Sequence, residues 1–143
     1  MTTRGVGRFA LGDANFTLGA SHRYAEIGWR SSVQRYFGPF GGLSYGKLTY
    51  LGEIDWLITE KTSLAATHLL SLNLKQGLEF LVSYDYYDPD IDLQNGYEWR
   101  VRLASAVFMT GYLEIMPAID WNHIEAATTR EFLVAEIQAH IWY

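Results

Sequence analysis

A period of two runs through nearly the whole chain, and it leaves little room for anything but strands. Leu48, Tyr50, Gly52, Ile54, Trp56 and Ile58 alternate with Lys47, Thr49, Leu51, Glu53 and Asp55. The same two-file pattern recurs over 63–74, 78–87, 97–104, 113–121 and 131–143. Successive side chains of a strand point to opposite faces, so each segment carries one apolar and one mixed face. A helical period of 3.6 holds nowhere for more than a turn or two. Towards the start the signal weakens: 36–45 reads as a glycine-rich strand, 15–23 as a short clear one, and 4–12 as a poor one. That makes about nine candidate strands, each near the roughly 9–11 residues with which a tilted strand crosses a bilayer.

The connections sort by length. Tight turns carrying Gly or Asp fall at 12–14, 46–47 and 75–77. Longer polar connections fall at 22–35, 88–96 and 122–130, with 59–62 short and 106–111 ("AVFMTG") apolar for a turn. Short turns at one end and long loops at the other are the layout of outer-membrane barrels. Such barrels have an even number of strands and both termini in the periplasm. Walking back nine strands from Tyr143 puts residue 4 at the opposite rim. Either 4–12 is no strand and an eight-stranded barrel starts near residue 15, or further strands precede residue 1. "MTTRGVGRFALGDANF" lacks the apolar core of a secretory signal, which favours the second reading. The expectation is therefore a single domain over 1–143, the C-terminal portion of a larger barrel whose first strands and signal peptide lie upstream. Pro117, mid-strand, calls for a bulge or register break.

Two placements of the apolar file are open. A soluble barrel or sandwich turns it inward, and a membrane barrel turns it to lipid. Aromatics crowd the strand ends of that file: Tyr45, Trp56, Tyr84, Tyr86, Tyr97, Trp99, Trp121 and Tyr143. Interfacial rings sit in such positions because they are apolar with a polar edge. No helix or continuous apolar strand offers a conventional core. Both features point the apolar file to lipid. A formal charge of −5 gives no basic footprint, which argues against a nucleic-acid partner. The absence of cysteine excludes disulfides, thiolate zinc sites and c-type haem attachment within the chain. No apolar run is long enough for a transmembrane helix.

The mixed file then faces a lumen. It carries Lys47, Glu53, Asp55, Glu79, Asp85, Glu98, Arg100, Arg102, Glu114, Asp120, Glu136 and His140, with acid in excess. In a wide pore such charges tune ion preference, and in a narrow one they pair and fill the interior. Asp88, Asp90 and Asp92 alternate as at the start of a calcium loop, but Leu93 and Trp99 stand where that loop wants Gly and Glu. Ordinary turn chemistry accounts for the same residues. His22, His68, His123 and His140 show no ligand spacing, and no Ser sits in a nucleophile elbow. No metal, cofactor or catalytic residue is expected.

The last strand, "EFLVAEIQAHIWY", resembles the C-terminal signal strand of bacterial outer-membrane β-barrel proteins. Leu133, Ile137, Ala139, Ile141 and Tyr143 stand at the matching positions. The resemblance implies location in the bacterial outer membrane, contact with its lipid, and recognition by the barrel-assembly machinery. A second resemblance covers about 40–105, where "GPFGGLSYGKLTYLGEIDWL" and "GLEFLVSYDYYDPDIDLQNGYEWRVRL" look like segments of poorly characterised porin-like barrels of Gram-negative bacteria. Some of those accompany multihaem cytochromes. Together they imply an all-β, antiparallel transmembrane barrel of outer-membrane type that forms a porin-like channel with a polar, net acidic lumen. A small closed barrel with a structural or surface role, and a sheath around a multihaem cytochrome, stand as alternatives.

Overall fold

The computed structural model describes residues 1–27, 32–93 and 95–142. Its elements are β1 (Thr2–Leu11), β2 (Ala14–Ile27), β3 (Ser32–Tyr45), β4 (Leu48–Ile58), β5 (Thr62–Lys75), β6 (Leu78–Asp88), β7 (Glu98–Thr110), β8 (Leu113–Ile124) and β9 (Arg130–Ile141). Each strand pairs antiparallel with its neighbours in sequence, so the nine form one sheet in chain order. No helix occurs among the described residues. β1 and β9 do not touch, and the sheet is open at both edges.

Four hairpins close through two-residue turns at 12–13, 46–47, 76–77 and 111–112. Gly12 and Gly46, both at φ 58°, supply the left-handed backbone that a turn matching strand twist requires. The opposite rim carries 59–61, 89–97 and 125–129. Residues 28–31 of the connection expected at 22–35 lie outside the described residues, but the arms on either side are strand up to the pair Ile27↔Ser32.

Three expectations need correction. Residues 106–110 are not a link but the end of β7, and the turn is Gly111–Tyr112. The small Ala104 and Ala106 continue the inner file there, which hides the alternation from a hydropathy reading. Residues 4–12 are not a poor strand, because β1 pairs with β2 along its whole length. Gly5 and Gly7 dilute the side-chain signal while leaving the backbone ladder intact. Pro117 brings no register break: the β7–β8 pairing skips 105–106 against 116–117 and resumes unshifted at Val107↔Ile115. Its missing N–H is lost on the β7 side only, since pairing to β9 is continuous through Pro117↔Ile137. Pro39 does the same to the β3–β4 ladder between Phe37↔Trp56 and Phe40↔Glu53. The register shift of the β7–β8 ladder lies elsewhere, in β7 at Phe108/Thr110.

Side chains sort onto two unlike faces. The apolar one holds Leu18, Leu43, Leu70, Phe80, Leu103 and Ile119, all exposed, and ends on β9 with Leu133 at 71% and Ile137 at 76% exposure. From β5 to β8 the polar face is the more enclosed one. Among the described residues the buried hydrophobics are Ala104, Ala106 and Ala118, at 3%, 2% and 5%, and all three lie on it beside Asp120. With no second layer, a face is enclosed only by its own neighbours, so the sheet bends around its polar side.

Candidate functional site: the charged face

The polar face is built by cross-strand pairs, the unit of sheet stabilisation. Arg100 stands opposite Asp85, and its Nε and Nη2 donate to Asp85 Oδ2 at 3.1 and 2.8 Å. Arg102 stands opposite Asp120 and grips it bidentately, Nε to Oδ1 at 2.7 Å and Nη2 to Oδ2 at 2.8 Å. The same Nη2 lies 2.7 Å from Glu136 Oε1, which also accepts from Gln138 Nε2 at 2.7 Å. Glu114 meets His140 at 3.0 Å. Glu79 accepts from Ser71 Oγ, and Thr67 Oγ1 donates to Asp85 at 3.1 Å. Asp85, Arg100, Arg102, Glu114, Asp120, Glu136 and His140 are thus tied into pairs. A charge left alone on an enclosed face is costly.

Every strand charge expected to face a lumen lies on this face. Lys47 is a turn residue whose carbonyl accepts the Asn73 N–H at 2.9 Å and whose Nζ donates to the Leu74 carbonyl at 2.8 Å. Glu53 and Asp55 share the face but make no ion pair among the described residues. Arg4, Arg8 and Arg23 were missed. The register puts all three on the same face, through Arg4↔Ser21, Arg8↔Thr17 and Thr2↔Arg23. The signal was present in the alternation of Arg4, Val6 and Arg8 with two glycines and Phe9.

The aspartates at 88, 90 and 92 do turn chemistry. Asp88 Oδ1 accepts the Asp90 N–H at 3.0 Å, and Asp90 Oδ1 accepts the Asp92 N–H at 3.4 Å. Asp90 Oδ2 meets Lys61 Nζ at 2.9 Å. That hydrogen-bonded ammonium holds the Asp90 carboxyl below the usual carboxylate range, and Asp90 in turn raises Lys61 above its ordinary value. Ser63 Oγ donates to the Pro89 carbonyl at 3.0 Å, and the Ile91 N–H to the Thr62 carbonyl at 3.0 Å. The 89–97 connection is thereby pinned to the neighbouring hairpin. Among the described residues no three His, Asp or Glu side chains come together as a metal site.

The histidines are dispersed. His68 sits mid-strand on the apolar face, stacked between Tyr50 and Tyr84 and 2.7 Å from the Tyr50 hydroxyl. That hydrogen bond is made by its Nδ1. His123 stacks on Trp99 at 5.1 Å and meets Glu131 at 3.1 Å. Trp56, Tyr86, Trp99 and Trp121 all lie within four residues of the long-loop ends of their strands. Leu133, Ile137, Ala139 and Ile141 line the apolar face of β9, and Tyr143 lies outside the described residues. Comparison with protein-family models, curated proteins and solved structures found no match.

Proposed function

We propose that this sheet is part of the wall of a β-barrel in a bacterial outer membrane. Its apolar face meets lipid and its charged face lines a polar conduit for passive passage of small solutes. One observation carries the reading: from β5 to β8 the apolar face is the more exposed and the charged face the more enclosed. A water-soluble barrel or sandwich of this size inverts that order, because burying the apolar file is what stabilises it. Strands of 10 to 14 residues fit a tilted crossing. The long-loop rim gathers tryptophan and tyrosine as a bilayer interface does. The resemblance of β9 to an assembly signal strand adds to this, with the assembly machinery as partner.

β1 and β9 run in the same direction, so an all-antiparallel closure takes an odd number of further strands between them. Such a barrel has at least ten strands, and its interior widens with each further pair towards the aqueous channel of a porin. Of the described connections at the long-loop rim, 59–61 and 125–129 are short, and the longer one after β6 is pinned to its neighbour. That favours the conduit over a barrel acting through its loops.

The test is reconstitution into phosphatidylcholine vesicles and planar bilayers. The reading predicts association that survives carbonate washing and ion flux with a modest preference for cations. A monodisperse protein that needs no detergent and stays in the aqueous fraction contradicts it.

A further inference from the structure

On the polar face the glycine-rich run of β3 borders a groove. Three cross-strand rows meet there: Arg4–Ser21–Gly38, Val6–Gly19–Phe40–Glu53, and Arg8–Thr17–Gly42–Leu51. The glycines let neighbouring side chains lie down on the sheet and wall the groove. A Cβ on Gly19 would lie 2.3 Å from Phe40 Cζ, so the ring lies flat across the glycine. A Cβ on Gly42 would lie 2.8 Å from Leu51 Cδ2, and one on Gly38 only 1.9 Å from the Asp55 carboxylate. The result is a groove of about 420 Å³ lined by Arg4, Thr17, Phe40, Leu51, Glu53 and Leu69. Its size is that of a small-molecule site.

Its charges are left open, unlike the Arg100–Asp85 and Arg102–Asp120–Glu136 clusters. The Arg4 guanidinium lies over the Phe40 ring, 4.5 Å from the centroid, with no carboxylate partner among the described residues. Glu53 stands opposite Phe40, also without an ion pair among them. A cation on one wall, an anion on the other and apolar side chains between them complement a zwitterion with an apolar body. Arg4 reaches over β2, and Glu53 starts two strands away, about 10 Å across the sheet. A chain of two or three residues spans about 7–11 Å.

We propose that the groove on β1–β4 binds a zwitterionic di- or tripeptide with apolar side chains, its carboxylate on Arg4 and its ammonium on Glu53. The assignment rests on this groove alone and stands whether or not the sheet crosses a membrane. The test is saturation-transfer NMR on the full chain in detergent, with the dipeptide Leu-Phe, its N-acetylated form and its C-terminal amide at millimolar concentration. The expected result is saturable binding of Leu-Phe, weakened about tenfold by either blocking group, a loss of one charge-assisted contact. Arg4→Gln should abolish the discrimination against the amide, and Glu53→Gln that against the acetylated form. Equal binding of all three peptides to the native chain, or no binding of any, overturns the proposal. So does discrimination unchanged by both substitutions.

Discussion

Arg102 holds two carboxylates with one guanidinium, Asp120 in a fork and Glu136 at 2.7 Å. Asp120 has only 6% of its side chain exposed, so removing the cation leaves an enclosed, uncompensated anion. Arg102→Ala should therefore cost about 3–5 kcal/mol in denaturant unfolding. Arg102→Met with Asp120→Asn should recover part of that, because the orphaned charge goes with its partner. A loss under 1 kcal/mol for Arg102→Ala would show the fork to be water-screened. The Lys61–Asp90 pair acts at the loops instead. Asp90 titrates below its ordinary value, so its share of loop stability is present above about pH 4 and is lost as pH falls through its folded pKa. Lys61 titrates above its ordinary value, so its share is present below about pH 10 and is lost as pH rises past its folded pKa. Between those limits the Ile91 amide, bonded to Thr62, should be protected from hydrogen exchange. Acid, or Asp90→Asn at neutral pH, should release it several-fold after correction for intrinsic rates. Unchanged protection in the Asp90→Asn chain would separate the loop's order from the ion pair.

At the scale of the strand, alternation is what the chain encodes most clearly, and β5 offers the cleanest test of it. Leu70 lies on the apolar face near mid-strand, and Thr67 on the polar face between Glu53 and Asp85. In vesicles Leu70→Arg should cost about 2–4 kcal/mol, and Thr67→Arg under about 0.5 kcal/mol. Equal costs would deny that the two faces meet different media. The strands from β4 to β6, β8 and β9 were legible in the sequence because large apolar and polar residues alternate there without a gap. β1 and the end of β7 were obscured where the pattern runs through glycine or alanine, since small side chains carry little hydropathy yet pair as well through the backbone. The charged face from β4 to β9 was legible for the same reason as the strands. What sequence could not supply was partnership. That Arg102 takes two carboxylates while Arg4 takes none depends on register, and register is set by turn lengths summed over several hairpins.

For the molecule as a whole, two unlike faces are joined in one open sheet with free edges at β1 and β9. An exposed apolar face and unpaired strand edges are both aggregation hazards in water, and the chain carries them together. A bilayer removes the first, and further strands remove the second. The chain has no cysteine, so single cysteines can be placed one at a time along β5 from Ala65 to Leu72 and labelled with an environment-sensitive dye in vesicles. If the apolar face meets lipid, dyes at 66, 68, 70 and 72 emit in the blue and resist aqueous quenchers. Those at 65, 67, 69 and 71 emit as in water and are quenched. The opposite phase, with the even positions wet and the odd ones shielded, would contradict the membrane account.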